Sequence, residues 1–150
     1  MIEVHGMNDN PFYDTSILVY MFDSSDNAKY NSARALLEKI ASGTARGTIS
    51  NQTIAELFNV LTTKTDKHMP IATAAEIVHD FVSSTRWQIV NYTAETVKNA
   101  TFSCKLLGTP FWDTLIAETM KENNISTIYT ENIRDFKKIQ GIKVVNPFKR

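Results

Sequence analysis

Residues 11–22 read PFYDTSILVYMF, twelve positions that are apolar apart from one aspartate and two hydroxyl residues. Pro11, Phe12 and Tyr13 predict a short strand ending at Asp14, and residues 15–22 predict a buried first helix. A carboxylate in so apolar a stretch is costly to bury unless something compensates its charge. Asp14 therefore marks both the end of the first strand and a candidate site.

On the C-terminal side of this stretch, helix and strand patterns alternate. Residues 27–42 have helical periodicity, with Ala33, Leu36, Leu37 and Ile40 on one face and Gly43 as the C-cap. Residues 44–50 contain a second strand, and Asn51 is placed to cap a helix that runs to about Lys64 on a stripe of Ile54, Leu57, Phe58 and Leu61. Pro70 opens a helix in which Ile71, Ala74, Ala75, Val78, Phe81 and Val82 are spaced for burial. A third strand is expected over residues 87–92. Thr93 caps the next helix, Gly108 ends it, and Pro110 starts another that reaches about Asn123. Residues 126–130 and 142–145 complete the strands, the last at a sheet edge. Strands separated by helices imply a parallel sheet covered on both faces. The expected fold is α/β, a three-layer α/β/α sandwich with four or five mostly parallel strands. One domain over residues 1–150 is expected, led by a polar segment of ten residues.

Composition narrows the function. There are 16 basic and 16 acidic residues, so any nucleic acid must be held by a local basic patch rather than by overall charge. No run approaches the ~20 apolar residues of a membrane span. The N-terminus lacks the basic start and apolar core of a secretory signal, so a cytoplasmic location is expected. The single cysteine, Cys104, has no internal partner and reads as a small buried hydrophobe. His5, His68 and His79 are scattered and belong to no triad or zinc spacing.

The acids are more informative. Asp14 falls at a strand end, Asp113 in the first turn of a helix, and Glu56 early in the helix after the second strand. Glu131 and Asp135 follow the fourth strand. Ligands of open α/β sheets sit beyond the carboxyl ends of the strands. Carboxylates gathered there repel, and cannot all stay ionised without a cation. Hard oxygen donors point to Mg²⁺ or Mn²⁺.

The segments YDTSILVYMFD, TISNQTIAELFNVLTTK, PFWDTLIAETMKENNISTIYTENIRDF and GIKVVNPF resemble, in order and spacing, the PIN-domain ribonucleases. The likeness is strongest to the VapC-type toxins of toxin–antitoxin pairs. It places the family's first three acids on Asp14, Glu56 and Asp113. Where many members carry a fourth, this chain has Asn132, flanked by Glu131 and Asp135; Asp135 is the stronger substitute, with Glu131 next. The family's hydroxyl positions match Ser16 and Thr130.

The resemblance implies a Mg²⁺- or Mn²⁺-dependent endoribonuclease. Asp14 and Asp113 would hold the ion, with Glu56 direct or through water. It also implies a cognate antitoxin and a homodimer. Arg134, Lys137 and Lys138 are the cations nearest the acids in sequence and are expected to meet RNA; Arg46, Lys64, Lys67, His68 and Arg86 are further candidates. Phe111, Trp112 and Tyr129 suit either base recognition or the core. The competing reading is a binding module that keeps the fold with an impaired metal site, motivated by Asn132. An aspartyl-phosphate phosphatase is disfavoured, because Ser16 stands where its second aspartate would be.

Overall fold

The computed structural model describes residues 10–149; His5 and the rest of the polar lead up to residue 9 lie outside them. Five strands, β1 (Phe12–Tyr13), β2 (Gly47–Ser50), β3 (Trp87–Val90), β4 (Thr127–Tyr129) and β5 (Lys143–Val145), form one parallel sheet in the order β3-β2-β1-β4-β5. Among the described residues the helices are α1 (Thr15–Leu18), α2 (Asn27–Ala41), α3 (Asn51–Thr63), α4 (Ile71–Ser83), α5 (Ala94–Leu107), α6 (Phe111–Glu122) and α7 (Ile133–Phe136), with a 3₁₀ turn at Val19–Met21.

β1 shows how so short a strand organises the molecule. Its two side chains point to opposite faces, as the period of a strand requires. Tyr13 joins a core with Ile17, Leu18, Ile49 and Leu57, beneath α1 to α4. Phe12 joins the other, with Ile116, Met120, Ile128 and Phe136, beneath α6 and α7. The three layers expected from the alternation are therefore present, and both faces of the sheet are covered.

The chain builds β1, β2 and β3 in one direction, then crosses to lay β4 and β5 on the other side of β1. That reversal opens a crevice between the carboxyl ends of β1 and β4. Asp14 lies there, its backbone N–H donating to the Tyr129 carbonyl at 3.0 Å.

Several local expectations are corrected. Residues 15–22 are one turn of α-helix followed by the 3₁₀ turn, not one continuous helix. Ser50, not Asn51, caps α3: its hydroxyl accepts from the Thr53 N–H and the Thr53 hydroxyl accepts from the Ser50 N–H. Asn51 is committed elsewhere, its Oδ1 accepting from the Tyr92 N–H at 3.0 Å. β3 ends at Val90 rather than at residue 92. In α4 only Ala74 and Phe81 are buried, while Ile71 and Val82 are exposed, because this helix packs on α3 and β3 at the periphery. Cys104 is half-buried, not a core residue.

Gly47 is needed for close approach. A Cβ there would meet Trp87 at 2.6 Å, Tyr13 at 2.9 Å and Ile40 at 3.0 Å. All three neighbours are buried, and the Tyr13 and Trp87 rings pack edge to face at 5.1 Å, so they have little room to retreat. Gly47→Ala should therefore lower the unfolding free energy by about 1–3 kcal/mol in urea melts. An unchanged midpoint would show that the rings yield freely.

Candidate active site

Asp14 is the buried centre of the site, 7% exposed. It caps α1, with Oδ1 accepting from the Thr15 N–H at 2.8 Å. Its Oδ2 accepts from the Thr130 hydroxyl at 2.6 Å and the Ser16 hydroxyl at 3.2 Å. A carboxylate offers about four lone-pair sites. Three are filled, which leaves one direction on Oδ1 for another partner. Ser16 and Thr130 in turn brace the loop after β4: Ser16 accepts from the Glu131 N–H and Thr130 from the Asn132 N–H. The carboxylate thus stitches β1 to β4 across the crevice.

Glu56 reaches the same side because α3 begins at the end of β2, and it lies on the second turn. Its two oxygens are held separately, Oε2 by the Thr15 hydroxyl and Oε1 by the Gln52 side-chain amide, both at 2.8 Å. The Gln52 Nε2 also donates to the Trp112 carbonyl at 3.1 Å, tying α3 to the start of α6. Both partners are acceptors, so the amide has only one sensible orientation. Its Oε1 is then buried without a hydrogen bond among the described residues.

Asp113 stands in the first turn of α6, and its Oδ2 accepts from the Asn132 amide at 2.8 Å. The same amide nitrogen donates to Asp135 at 3.1 Å. Asn132 thus lies between two acids as a neutral donor, where a carboxylate would add a third like charge. Asp135 is 8% exposed and also feels Arg134 at 3.7 Å and Lys138 at 4.0 Å. Glu131 turns away to pair with Lys29 at 2.7 Å. Of the two acids flanking Asn132, Asp135 is therefore the one beside Asp113. Arg134, Lys137 and Lys138 are exposed on and after α7.

The electrostatics agree with crowding. Burial is the main cause that raises the Asp14 carboxyl above its ordinary range, with the Glu56 charge adding to it against three hydrogen bonds that lower it. The Asp113 carboxyl is raised from 3.8 to about 6, first by burial and then by the charges of Asp14, Asp135 and Glu56. A helix N-terminus favours an anion, yet here burial and repulsion win. Among the described residues, no three His, Cys, Asp or Glu side chains converge closely enough to hold one metal ion by direct contact. At most two of these acids would touch the same ion in this arrangement.

Thr15, Gln52 and Lys29 were not singled out by sequence. Gln52 has a local signal, since it precedes Glu56 by one helical turn. Thr15 follows Asp14 directly. The pairing of Lys29 with Glu131 spans 102 positions and leaves no local trace. Trp112 is 59% exposed and so is excluded from the core, whereas Phe111 and Tyr129 are half-buried.

Residues 12–142 match the PIN domain family. No curated protein matches by sequence search. Similar solved structures include VapC20 of Mycobacterium tuberculosis, a sarcin–ricin loop cleaving toxin, at 19% identity and TM-score 0.68, covering 85% of this chain and 94% of that one. The DNA-bound VapBC of Salmonella typhimurium is 20% identical with TM-score 0.65, covering 92% and 98%. VapBC2 of Rickettsia felis, bound to a promoter DNA fragment, is 24% identical with TM-score 0.62, covering 90% and 96%. At these identities the likeness is one of fold.

The raised Asp113 carboxyl has a measurable sign. Folding moves it from 3.8 toward about 6, so the folded chain holds that proton more tightly and stability falls as pH rises through this window. In chelator-treated buffer, wild type should lose more stability between about pH 4 and about pH 7 than Asp113→Asn does. Equal losses in urea melts would place this carboxyl at its ordinary value.

Proposed function

The chain belongs to the PIN domain family, and on that premise we propose that it is a divalent-metal-dependent endoribonuclease, the toxin of a toxin–antitoxin pair. The observation that carries the reading is the acid cluster at the switch point: Asp14, Glu56, Asp113 and Asp135 come from four separate elements, and the Asp113 carboxyl feels the charge of the other three.

The donor set fits Mg²⁺ or Mn²⁺. It is all hard oxygen, and two of its acids are disfavoured as anions until positive charge arrives. Mg²⁺ typically keeps several waters and takes one or two carboxylates directly, which suits a cluster in which no three acids close on one point. Asp14 and Asp113 are the direct ligands in this reading, with Glu56 acting through water. When bound, the ion supplies Lewis-acid charge and lowers the pKa of a water for attack on the scissile phosphate.

The chain's own residues do the positioning. Thr130 and Ser16 orient Asp14 through Oδ2 and leave Oδ1 the freer oxygen. Thr15 and Gln52 fix Glu56, and Asn132 holds Asp113 and Asp135 apart without adding charge. Arg134, Lys137 and Lys138 beside the acids meet the RNA backbone. The VapBC complexes that share this fold support a cognate antitoxin as partner. A homodimer and a cytoplasmic setting belong to the same reading.

With Mg²⁺, Asp14→Asn and Asp113→Asn should each slow RNA cleavage by at least ~100-fold relative to wild type, and a chelator should stop the wild type. Equal cleavage by all three proteins would remove the catalytic claim. It would favour the binding-module reading that Asn132 motivates.

A further inference from the structure

A cleft of about 520 Å³ adjoins the acid cluster, shares Gln52 and Glu56 with it, and runs to Trp112, Tyr92, Asn59 and Lys64. We infer that this cleft receives an unstacked nucleobase of the RNA strand, with the base laid on the Trp112 ring and the adjoining phosphate near Lys64. The inference rests on the ribonuclease reading and names where one nucleotide of that substrate sits.

Five observations converge. Trp112 is 59% exposed although it neighbours a buried core segment in α6, so its ring stands outside the core. Phe111 packs against it at 5.1 Å and 65°, which props the indole in place. The Trp112 carbonyl is pinned by Gln52, the residue that also holds Glu56, so the backbone that carries the ring and the acid are tied to one side chain. Trp112 directly precedes Asp113 and lines the same cleft as Glu56, so the ring borders the acid cluster. Beside the apolar Ala55 and Val60, the remaining lining offers what a nucleotide needs: three amide side chains, a carboxylate, a tyrosine and a lysine. Aromatic faces accept bases of any identity and add affinity through stacking. Sequence choice on RNA is made on such splayed bases.

The test separates this subsite from the nuclease reading by measuring binding in a chain that does not cut. In Asp14→Asn, with Mg²⁺, a short single-stranded RNA is compared with the same strand carrying one abasic position, by fluorescence anisotropy. The base-bearing strand should bind about 10-fold better, the scale of one base–aromatic stack. Adding Trp112→Ala should abolish that preference, and Trp112→Phe should restore most of it. Intrinsic fluorescence should be quenched by RNA when Trp112 is present and not in Trp112→Phe, because Trp87 is buried. Lys64→Ala should weaken both strands alike and flatten the salt dependence. A base preference that survives Trp112→Ala overturns the inference and leaves the ring to a protein contact. Failure of wild type to cleave any RNA defeats the ribonuclease reading instead, and leaves this binding comparison to be read on its own.

Discussion

The structure depends on a repulsion that it does not relieve by itself. Four acids from the end of β1, α3, α6 and α7 face one crevice, and two of them, Asp14 and Asp113, are disfavoured as anions, by burial first and by their neighbours' charge after it. Hydroxyls and amides make the arrangement tolerable. Thr130, Ser16 and the Thr15 N–H surround Asp14, Gln52 and Thr15 hold Glu56, and Asn132 bridges Asp113 and Asp135. These donors orient the oxygens but supply no net positive charge. A site kept electrostatically unfinished in this way suits a divalent cation and the phosphate it would polarise.

The sheet explains why the acids meet at all. β1 has two residues, yet it is the central strand, flanked by β2 and β4, and its Tyr13 and Phe12 anchor the two cores on opposite faces. Asp14 is therefore placed by packing on both sides. Gly47 approaches Tyr13, the residue that precedes Asp14 in the chain.

Much of this was legible in the chain. An aspartate inside PFYDTSILVYMF and the alternation of strand and helix sufficed for the layered parallel fold, and the places of Asp14, Glu56 and Asp113 at a strand end and early in helices pointed to one edge of the sheet. What was not legible has physical causes. Ser50 and Asn51 are adjacent and equally able to cap, and the choice was decided by Tyr92, which engages Asn51 from 41 positions away. The apolar spacing of α4 reads as a buried stripe, but a peripheral helix that packs mainly on α3 and β3 leaves Ile71 and Val82 in solvent. Between Glu131 and Asp135 the sequence offers two acids, and only the distant Lys29 shows which one turns away. Trp112 and Phe111 are neighbours of similar hydrophobicity, and helix orientation alone separates the exposed ring from the half-buried one.

The central claim is that side chains from distant elements share one cation at the β1–β4 crevice. Anomalous diffraction from crystals soaked in Mn²⁺ tests it directly. A peak between the Asp14 and Asp113 carboxylates, lost on chelation, is the expected result. A well-occupied Mn²⁺ found only elsewhere, with the crevice empty, would contradict the account.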